Sequence, residues 1–184
     1  MPDPKECTLY NSGLRGAETA FGEIAEKWGV NEVNFTFEGH QIFRNRNVQK
    51  LSEEELARGD ISMELVSKLM QRTYYEKKKI RKVIQMIFHM VNKGYQVFTV
   101  GSILADNTVR GGTGWAVELA KLFNRPLSVF DQDKQAWYTW IEGKWQSDSP
   151  RITYTTFAGT GTRYLSDAGR EAIEELFKDS FANS

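Results

Sequence analysis

The chain has 184 residues, and its 24 lysines and arginines balance 24 aspartates and glutamates, so the formal charge is zero. This length suits one α/β domain with a sizeable core, and residues 1–184 are taken as a single domain. Zero charge weighs against a general nucleic-acid binder, because such binding depends largely on cations that neutralise phosphates. The single cysteine, Cys7, excludes an intramolecular disulfide and a cysteine zinc cluster. The two histidines lie far apart in sequence, so no metal site is expected.

Two further absences bear on localisation. No apolar run approaches the length of a transmembrane helix, and residues 1–6 lack the apolar core of a signal peptide. We therefore expect a cytoplasmic protein with no membrane contact.

The first quarter of the chain predicts a strand, a helix and a second strand. Thr8–Tyr10 is a short strand candidate, and apolar residues then recur at helical spacing over 17–28. Gly29 is placed to end that helix in a left-handed conformation. Glu32–Phe37 alternates with a period of two, which indicates a strand. Residues 38–51 are polar and are predicted to be irregular.

The second quarter is mainly helical. Ser52–Glu55 has the form of a capping box and predicts the start of a short helix. Asp60 or Ser62 is a candidate cap for the next helix. A long helix carries an apolar stripe over 80–91, and Gln96–Val100 has the apolar, β-branched character of a buried parallel strand.

The second half continues the alternation of helices and strands. A helix is predicted from Thr113 and a buried strand at Leu127–Phe130. Residues 135–146 predict a tryptophan-rich β-hairpin, and Ile152–Phe157 is the predicted last strand. Ser166 caps the final helix. This order predicts an α/β fold, a Rossmann-like three-layer sandwich whose mostly parallel sheet has helices on both faces, plus the small hairpin.

Three glycine-rich segments stand between predicted strands and helices, at Asn11–Glu18, Arg110–Trp115 and Ala158–Arg163. A strand–glycine turn–helix unit directs backbone N–H groups and the positive end of a helix at one point, which suits phosphate. Ligands of such sheets bind beyond the carboxyl ends of the strands. The three turns together predict a pocket for a nucleotide-type ligand.

The candidate ligand-binding residues come from these turns and from the end of the strand at 96–100. For each arginine among them, an ordinary surface position is an equally good interpretation, and a tight turn without a ligand is the alternative for the glycines. The candidates are Asn11, Ser12, Gly13, Arg15, Gly16, Gly101, Ser102, Gly111, Gly112, Thr113, Gly114, Trp115, Gly159, Thr160, Gly161, Thr162 and Arg163.

These three segments resemble the SLOG superfamily, a Rossmann-like group that includes DprA, YpsA and the LOG phosphoribohydrolases. Ser12–Glu18 is similar to its Ser-Gly-Gly-x-x-Gly-Ala-Asp turn, with one glycine fewer. Gly111–Glu118 is similar to the Gly-Gly-x-Gly-Thr-x-x-Glu pattern of LOG proteins, with Trp115 in place of threonine and Arg110 in place of proline. Phe157–Arg163 resembles the Ala-Gly-Ile-Gly-Ser-Arg turn of phage and DprA-like members.

The order of the motifs differs from that of most relatives. The Ala-Gly-x-Gly-x-Arg unit comes first in them and last here, which implies a circular permutation like that of the permuted YpsA-like branch. The resemblance covers most of the chain except residues 38–70 and the hairpin. It implies a homo-oligomer, since such pockets are often completed by a neighbouring subunit.

The resemblance implies a ligand but leaves its fate open. One expectation is a sensor, carrier or sequestering protein that binds a nucleotide and leaves it intact. A second is a LOG-like phosphoribohydrolase, in which Glu118 helps to cleave the N-glycosidic bond of a nucleoside monophosphate. In LOG proteins an arginine acts with this glutamate, and the only candidates for it here are Arg72 and Arg110. DprA-like binding of single-stranded DNA is disfavoured by the zero charge. No cofactor is identified, and the molybdenum cofactor, which one YpsA-like group is thought to carry, stays open as a ligand.

Overall fold

A computed structural model describes residues 1–182, and the fold is α/β with eight strands and six α-helices in that part of the chain. The strands are β1 (Thr8–Asn11), β2 (Asn31–Thr36), β3 (Val48–Lys50), β4 (Gln96–Gly101), β5 (Leu127–Asp131), β6 (Ala136–Ile141), β7 (Lys144–Ser147) and β8 (Thr156–Gly161). The helices are α1 (Ala17–Lys27), α2 (Glu53–Ala57), α3 (Asp60–Met70), α4 (Lys78–Lys93), α5 (Thr113–Leu122) and α6 (Asp167–Phe181), with a short 3-10 turn at Pro4–Glu6.

All eight strands form one sheet in the order β3-β2-β1-β8-β4-β5-β6-β7. The pairs from β3 to β5 are parallel, and β6 and β7 are antiparallel additions at one edge. The last strand in sequence therefore lies in the centre, where a doubly wound fold places its first strand. The unit β8–α6 occupies the place that a permuted chain requires.

Helices cover both faces of the sheet and give three layers. Helices α1 and α6 pack on one face, where Phe21, Phe157 and Phe177 belong to a fully buried cluster. Helices α3, α4 and α5 lie on the other face around Trp115 and Leu119. Both faces of the central strands are thus buried, which explains their nearly continuous apolar sequence.

Two local predictions in the first half of the chain were wrong. A three-residue strand, β3, pairs in parallel with β2 inside the segment predicted to be irregular. All three of its residues are exposed, so the sequence carries no apolar pattern there. Helix α3 begins after Gly59 with no side-chain cap, so neither Asp60 nor Ser62 caps it. The capping box at Ser52 is confirmed.

The last strand was predicted four residues too early. Strand β8 spans Thr156–Gly161 rather than Ile152–Phe157, so Gly159 and Gly161 lie within the strand and the turn begins at Thr162. A Cβ on Gly159 would lie 2.6 Å from Cγ of Phe21. Glycine is required there because α1 packs against the sheet at that point, and this contact is invisible in the local sequence.

The predicted hairpin is confirmed, and it extends the sheet through β6 and β7. Glu142 and Gly143 both adopt positive φ at its turn, which matches the twist of antiparallel strands. Trp140 and Trp145 form an edge-to-face pair with ring centres 4.9 Å apart. The ammonium group of Lys121 on α5 lies 3.9 Å from the Trp140 ring centre, which joins the hairpin to the helix layer.

None of the helices in residues 1–182 is long and apolar enough to cross a membrane.

Candidate functional site

The first and last turns meet directly at the carboxyl edge of the sheet. The amide of Ala17 donates a hydrogen bond of 3.0 Å to the carbonyl oxygen of Thr162. Gly16 has φ of +93°, and a Cβ there would lie 2.6 Å from Cα of Arg163. Glycine is therefore needed for the close approach of these two backbone segments.

A buried carboxylate fastens this junction. Oε2 of Glu18 accepts hydrogen bonds from the Ser12 hydroxyl at 2.5 Å, the Ser12 amide at 3.0 Å and the Leu14 amide at 3.1 Å. Its Oε1 accepts a bond of 2.7 Å from the Thr160 hydroxyl on the central strand. Glu18 is 3 % exposed. The carboxylate satisfies donors of the first turn and of β8, as a structural residue would.

The loop before β3 covers the rest of the first turn. The carbonyl oxygen of Gly13 accepts a 2.8 Å hydrogen bond from the Phe43 amide. Arg44 donates to both carboxylate oxygens of the buried Glu32, at 2.5 and 2.7 Å. Asn11 bonds the Gly13 amide and the Glu18 carbonyl oxygen. The polar side-chain groups of Asn11 and Ser12 therefore form hydrogen bonds within the protein.

The second turn has a different neighbour, Arg72, which lies in the connection between α3 and α4. Its guanidinium donates to the carbonyl oxygens of Gly111 and Val109, each at 2.9 Å, and to the Thr108 hydroxyl at 3.2 Å. A Cβ on Gly114 would overlap the guanidinium group. The fork of Arg72 thereby holds the loop in front of α5 in one conformation.

The segment that carries Arg72 is itself anchored by Asp60. This carboxylate accepts hydrogen bonds from the Tyr74 hydroxyl at 2.5 Å, Gln85 at 2.9 Å and Arg81 at 3.1 Å. Burial acts to raise the pKa of Asp60, but these hydrogen bonds and the Arg81 charge outweigh it and hold the pKa below its usual value. Burial and the adjacent Asp60 raise the pKa of Tyr74.

An open cavity of about 620 Å³ lies where α4 and the start of α5 meet, and we refer to it as the α5 cavity. The second glycine turn, Arg72, aromatic rings and the aliphatic stripe of α4 contribute to its walls. The lining residues are Arg72, Thr73, Tyr75, Ile80, Val83, Ile84, Ile87, Gly111, Gly112 and Trp115. Its volume lies within the range of small-molecule sites, and its walls contain both apolar and polar groups.

A second, smaller cavity of about 350 Å³ lies between the N-terminal ends of α1 and α6, and we refer to it as the α1–α6 cavity. It is lined by Arg15, Gly16, Thr19, Ala20, Phe43, Leu165, Ser166, Asp167 and Arg170. The Arg15 guanidinium lies 4.8 Å from the centre of the Phe43 ring. Arg170 is engaged by Glu23 and Glu174.

The expected single site therefore divides between these two cavities. Arg15 and Gly16 from the first turn line one, and Gly111 and Gly112 from the second turn line the other. Nine further predicted residues line neither cavity. Gly101, Thr113, Gly159 and Thr160 are buried, Gly114 packs on Arg72, and Gly161 packs on Val100. The Thr162 amide donates to the Val100 carbonyl oxygen, and the Ser102 carbonyl oxygen accepts from the Arg110 amide. Arg163 is exposed.

Glu118 points to the side of α5 that carries Lys121. Its carboxylate lies 3.2 Å from the Lys121 ammonium, and Glu118 lines neither of the two cavities. Burial lowers the pKa of Lys121, and the Glu118 carboxylate opposes that effect. Within residues 1–182, no group of three His, Cys, Asp or Glu side chains could hold a metal ion.

Most residues that line the α5 cavity lie outside the glycine motifs and were not predicted from the sequence. Arg72 was one of two candidates for the arginine that acts with Glu118 in LOG proteins, and Tyr75 was not predicted to belong to a site. The one available signal was the arginine among aromatic residues at 71–75, between two amphipathic helices. The sequence predicted an apolar stripe over 80–91, and Ile80 at its start is 41 % exposed and lines the α5 cavity.

Comparison of the chain with protein-family models, with curated proteins and with solved structures finds no match. The resemblance to the SLOG superfamily therefore depends on the three sequence segments alone.

Proposed function

We propose that this protein binds a nucleotide or nucleotide-derived ligand in the α5 cavity, as a sensor, carrier or sequestering protein. The observation that carries the proposal is an open cavity lined by the glycine turn of α5, the Arg72 guanidinium and an apolar wall. Such a cavity offers one cationic end for a phosphate and one apolar face for a base.

The phosphate end is supported by unused donors and by charge. The amides of Gly114 and Trp115 bond the carbonyl oxygens of Gly111 and Gly112, at 3.2 Å each. The amide of Gly112, which lines the cavity, precedes them at the positive end of the helix, where intrahelical acceptors are lacking. Arg72 makes no ion pair with an acidic side chain of residues 1–182. Asp106, whose pKa is lowered by hydrogen bonds from Thr108 and then by the Arg72 charge, opposes that charge only from beyond ion-pair distance.

The start of α4 adds a second electrostatic argument. This helix begins with lysines at 77, 78 and 79 and has no acidic residue in its first turn. Cations at a helix N-terminus are disfavoured by the helix dipole. Ile80, which follows them, lines the α5 cavity. A bound anion would offset the repulsion that this arrangement otherwise creates.

The base end is supported by the apolar side of the cavity. Tyr75 is 43 % exposed, and Ile80, Ile84 and Ile87 present aliphatic groups from successive turns of α4. A flat nucleobase gains from contact with such a surface because stacking and apolar burial need no specific hydrogen bonds. The position of Glu118 beside Lys121 favours binding over the phosphoribohydrolase alternative.

Calorimetric titration of the full chain with nucleoside mono- and diphosphates and with inorganic phosphate tests the proposal. We expect at least one nucleotide to bind with a dissociation constant below about 100 μM. Arg72→Lys should weaken binding at least about tenfold, because lysine keeps the charge but cannot hold the loop bidentately. Gly112→Val should abolish binding, because its side chain would occupy the cavity wall that Gly112 now forms. The protein should stay folded, because a Cβ at this position meets no atom within 4 Å and φ of Gly112 is ordinary.

Arg15→Lys in the α1–α6 cavity is the matched control, and it should leave the affinity unchanged. Loss of binding in Arg15→Lys together with full binding in Arg72→Lys would contradict the assignment to the α5 cavity. A wild-type protein that binds none of the nucleotides would contradict the proposed function.

A further inference from the structure

Helix α3 carries apolar side chains on two opposite faces. The buried face consists of Met63, Val66 and Met70. The other consists of Ile61, Leu65 and Leu69, which are 85 %, 45 % and 55 % exposed. These three lie at intervals of four residues and form one ridge along the helix, which we call the α3 ridge. A continuous exposed ridge of this kind, unlike a single exposed leucine, indicates a surface that another molecule covers.

We propose that the α3 ridge is where a second copy of this chain docks, with the two α3 helices antiparallel about a twofold axis. The segment lies outside the stretches that resemble the SLOG superfamily, and the inference is independent of the proposed ligand.

The charges beside the ridge favour self-association. Glu64 and Lys68 lie one turn apart on the same flank, are exposed and take part in no ion pair within residues 1–182. In an antiparallel pair centred at Leu65, Ile61 faces Leu69, and Lys68 of one copy lies about 3 Å along the helix axis from the position opposite Glu64 of the other, within reach of both long side chains. A twofold interface requires this kind of self-complementary surface.

The same charges disfavour a membrane as the occupant. Helices that lie on anionic membranes carry a polar face rich in lysine and arginine. The exposed charges on α3 itself are balanced, with Glu64 against Lys68. The zero formal charge of the whole chain also means that two copies do not repel each other through a net charge.

The small size of the ridge sets the expected strength. A standard interface buries about 800 Å² on each partner, and three aliphatic side chains supply only part of that area. We therefore expect a reversible dimer with a dissociation constant on the order of 10–100 μM rather than a permanent one.

Sedimentation velocity of the full chain without ligand, from about 1 to about 300 μM, brackets this range. We expect monomer and dimer in concentration-dependent exchange. Leu65→Asp should weaken dimerisation at least about tenfold, because it places a charge at the centre of the ridge. Ile141→Lys, at a residue of 41 % exposure on the hairpin, is the control and should change nothing. Circular dichroism should show that both variants are folded.

A charge exchange tests the antiparallel arrangement. Glu64→Lys alone places like charges opposite each other and should weaken the dimer, whereas the double variant Glu64→Lys/Lys68→Glu should restore it. A protein that is monomeric throughout the concentration range, or a dimer insensitive to Leu65→Asp, would overturn the proposal. A double variant no better than the single one would overturn the antiparallel pairing. Each result leaves the ligand titration unaffected.

Discussion

The hydroxyl of Thr160 donates a 2.7 Å hydrogen bond to the carboxylate of Glu18, although 142 residues separate them in sequence. Thr160 lies on the central strand and Glu18 in the first turn of the first helix. The bond joins the two ends of the chain at the carboxyl edge of the sheet, where Ser12 and Leu14 bond the same carboxylate. The fold is therefore closed at this edge by one buried acidic side chain.

Glu18→Gln should destabilise the protein by about 2–4 kcal/mol, because one acceptor oxygen becomes an NH₂ group that faces other donors. Urea unfolding measures the change in the free energy of unfolding. Glu175→Gln makes the same chemical change at an exposed position of α6 and should cost less than about 0.5 kcal/mol. Equal losses in the two variants would show that the buried network contributes nothing.

The sequence predicted the fold well because apolar runs and helical stripes reflect burial, which the fold imposes. Strands β4 and β5 are buried at every position and were located nearly to the residue. Strand β3 was missed because its three residues are all exposed. The end of β8 was predicted to be a turn because Gly159 and Gly161 resemble turn residues. Only the packing of Phe21 and of Val100 against them explains their identity.

The candidate site was harder to predict than the fold. The second glycine turn was found because its local pattern includes the start of a helix. Arg72 reaches Gly111 across 39 residues, and no periodicity in the sequence reports such a contact. The separation of Gly16 from Gly112 into different cavities depends on which face of the sheet receives each helix, and the glycine motifs do not contain that information.

Gly159→Ala should destabilise the protein by about 1–3 kcal/mol, because its Cβ would lie 2.6 Å from the Phe21 ring and 3.0 Å from Leu9. Gly112→Ala is the matched control, since its Cβ would meet nothing within 4 Å and its φ is −63°. Thermal unfolding should show a lower melting temperature for the first variant alone. A Gly159→Ala protein as stable as the wild type would contradict a packing role for this glycine.

Stability should fall between pH 9 and pH 11 because of Cys7. Burial, followed by the nearby charges of Asp3 and Glu6, raises the pKa of its thiol from 9.0 to about 11. Over this interval the unfolded chain loses the thiol proton while the native state keeps it, so rising pH favours unfolding. The resulting loss in the free energy of unfolding is at most about 3 kcal/mol, and it is absent below pH 9.

Urea unfolding of the wild type and of Cys7→Ala at several pH values isolates this effect. The lost side-chain volume lowers the stability of Cys7→Ala equally at every pH, so only the slope carries information. We expect the wild type to lose stability more steeply than the variant above pH 9. Parallel pH profiles would contradict a raised thiol pKa.

Glu118→Gln should leave nucleotide affinity within about twofold of the wild type, because the carboxylate contacts Lys121 and lines neither cavity. The variant should instead lose about 1 kcal/mol of stability, since the ammonium enclosed by Trp140 and Trp145 loses its anionic partner. Chromatography of nucleoside monophosphates incubated with either protein should detect no free base. If the wild type releases base and Glu118→Gln does not, the carboxylate takes part in cleavage of the N-glycosidic bond. A contaminating hydrolase cannot explain that result, because it would remain active in both preparations.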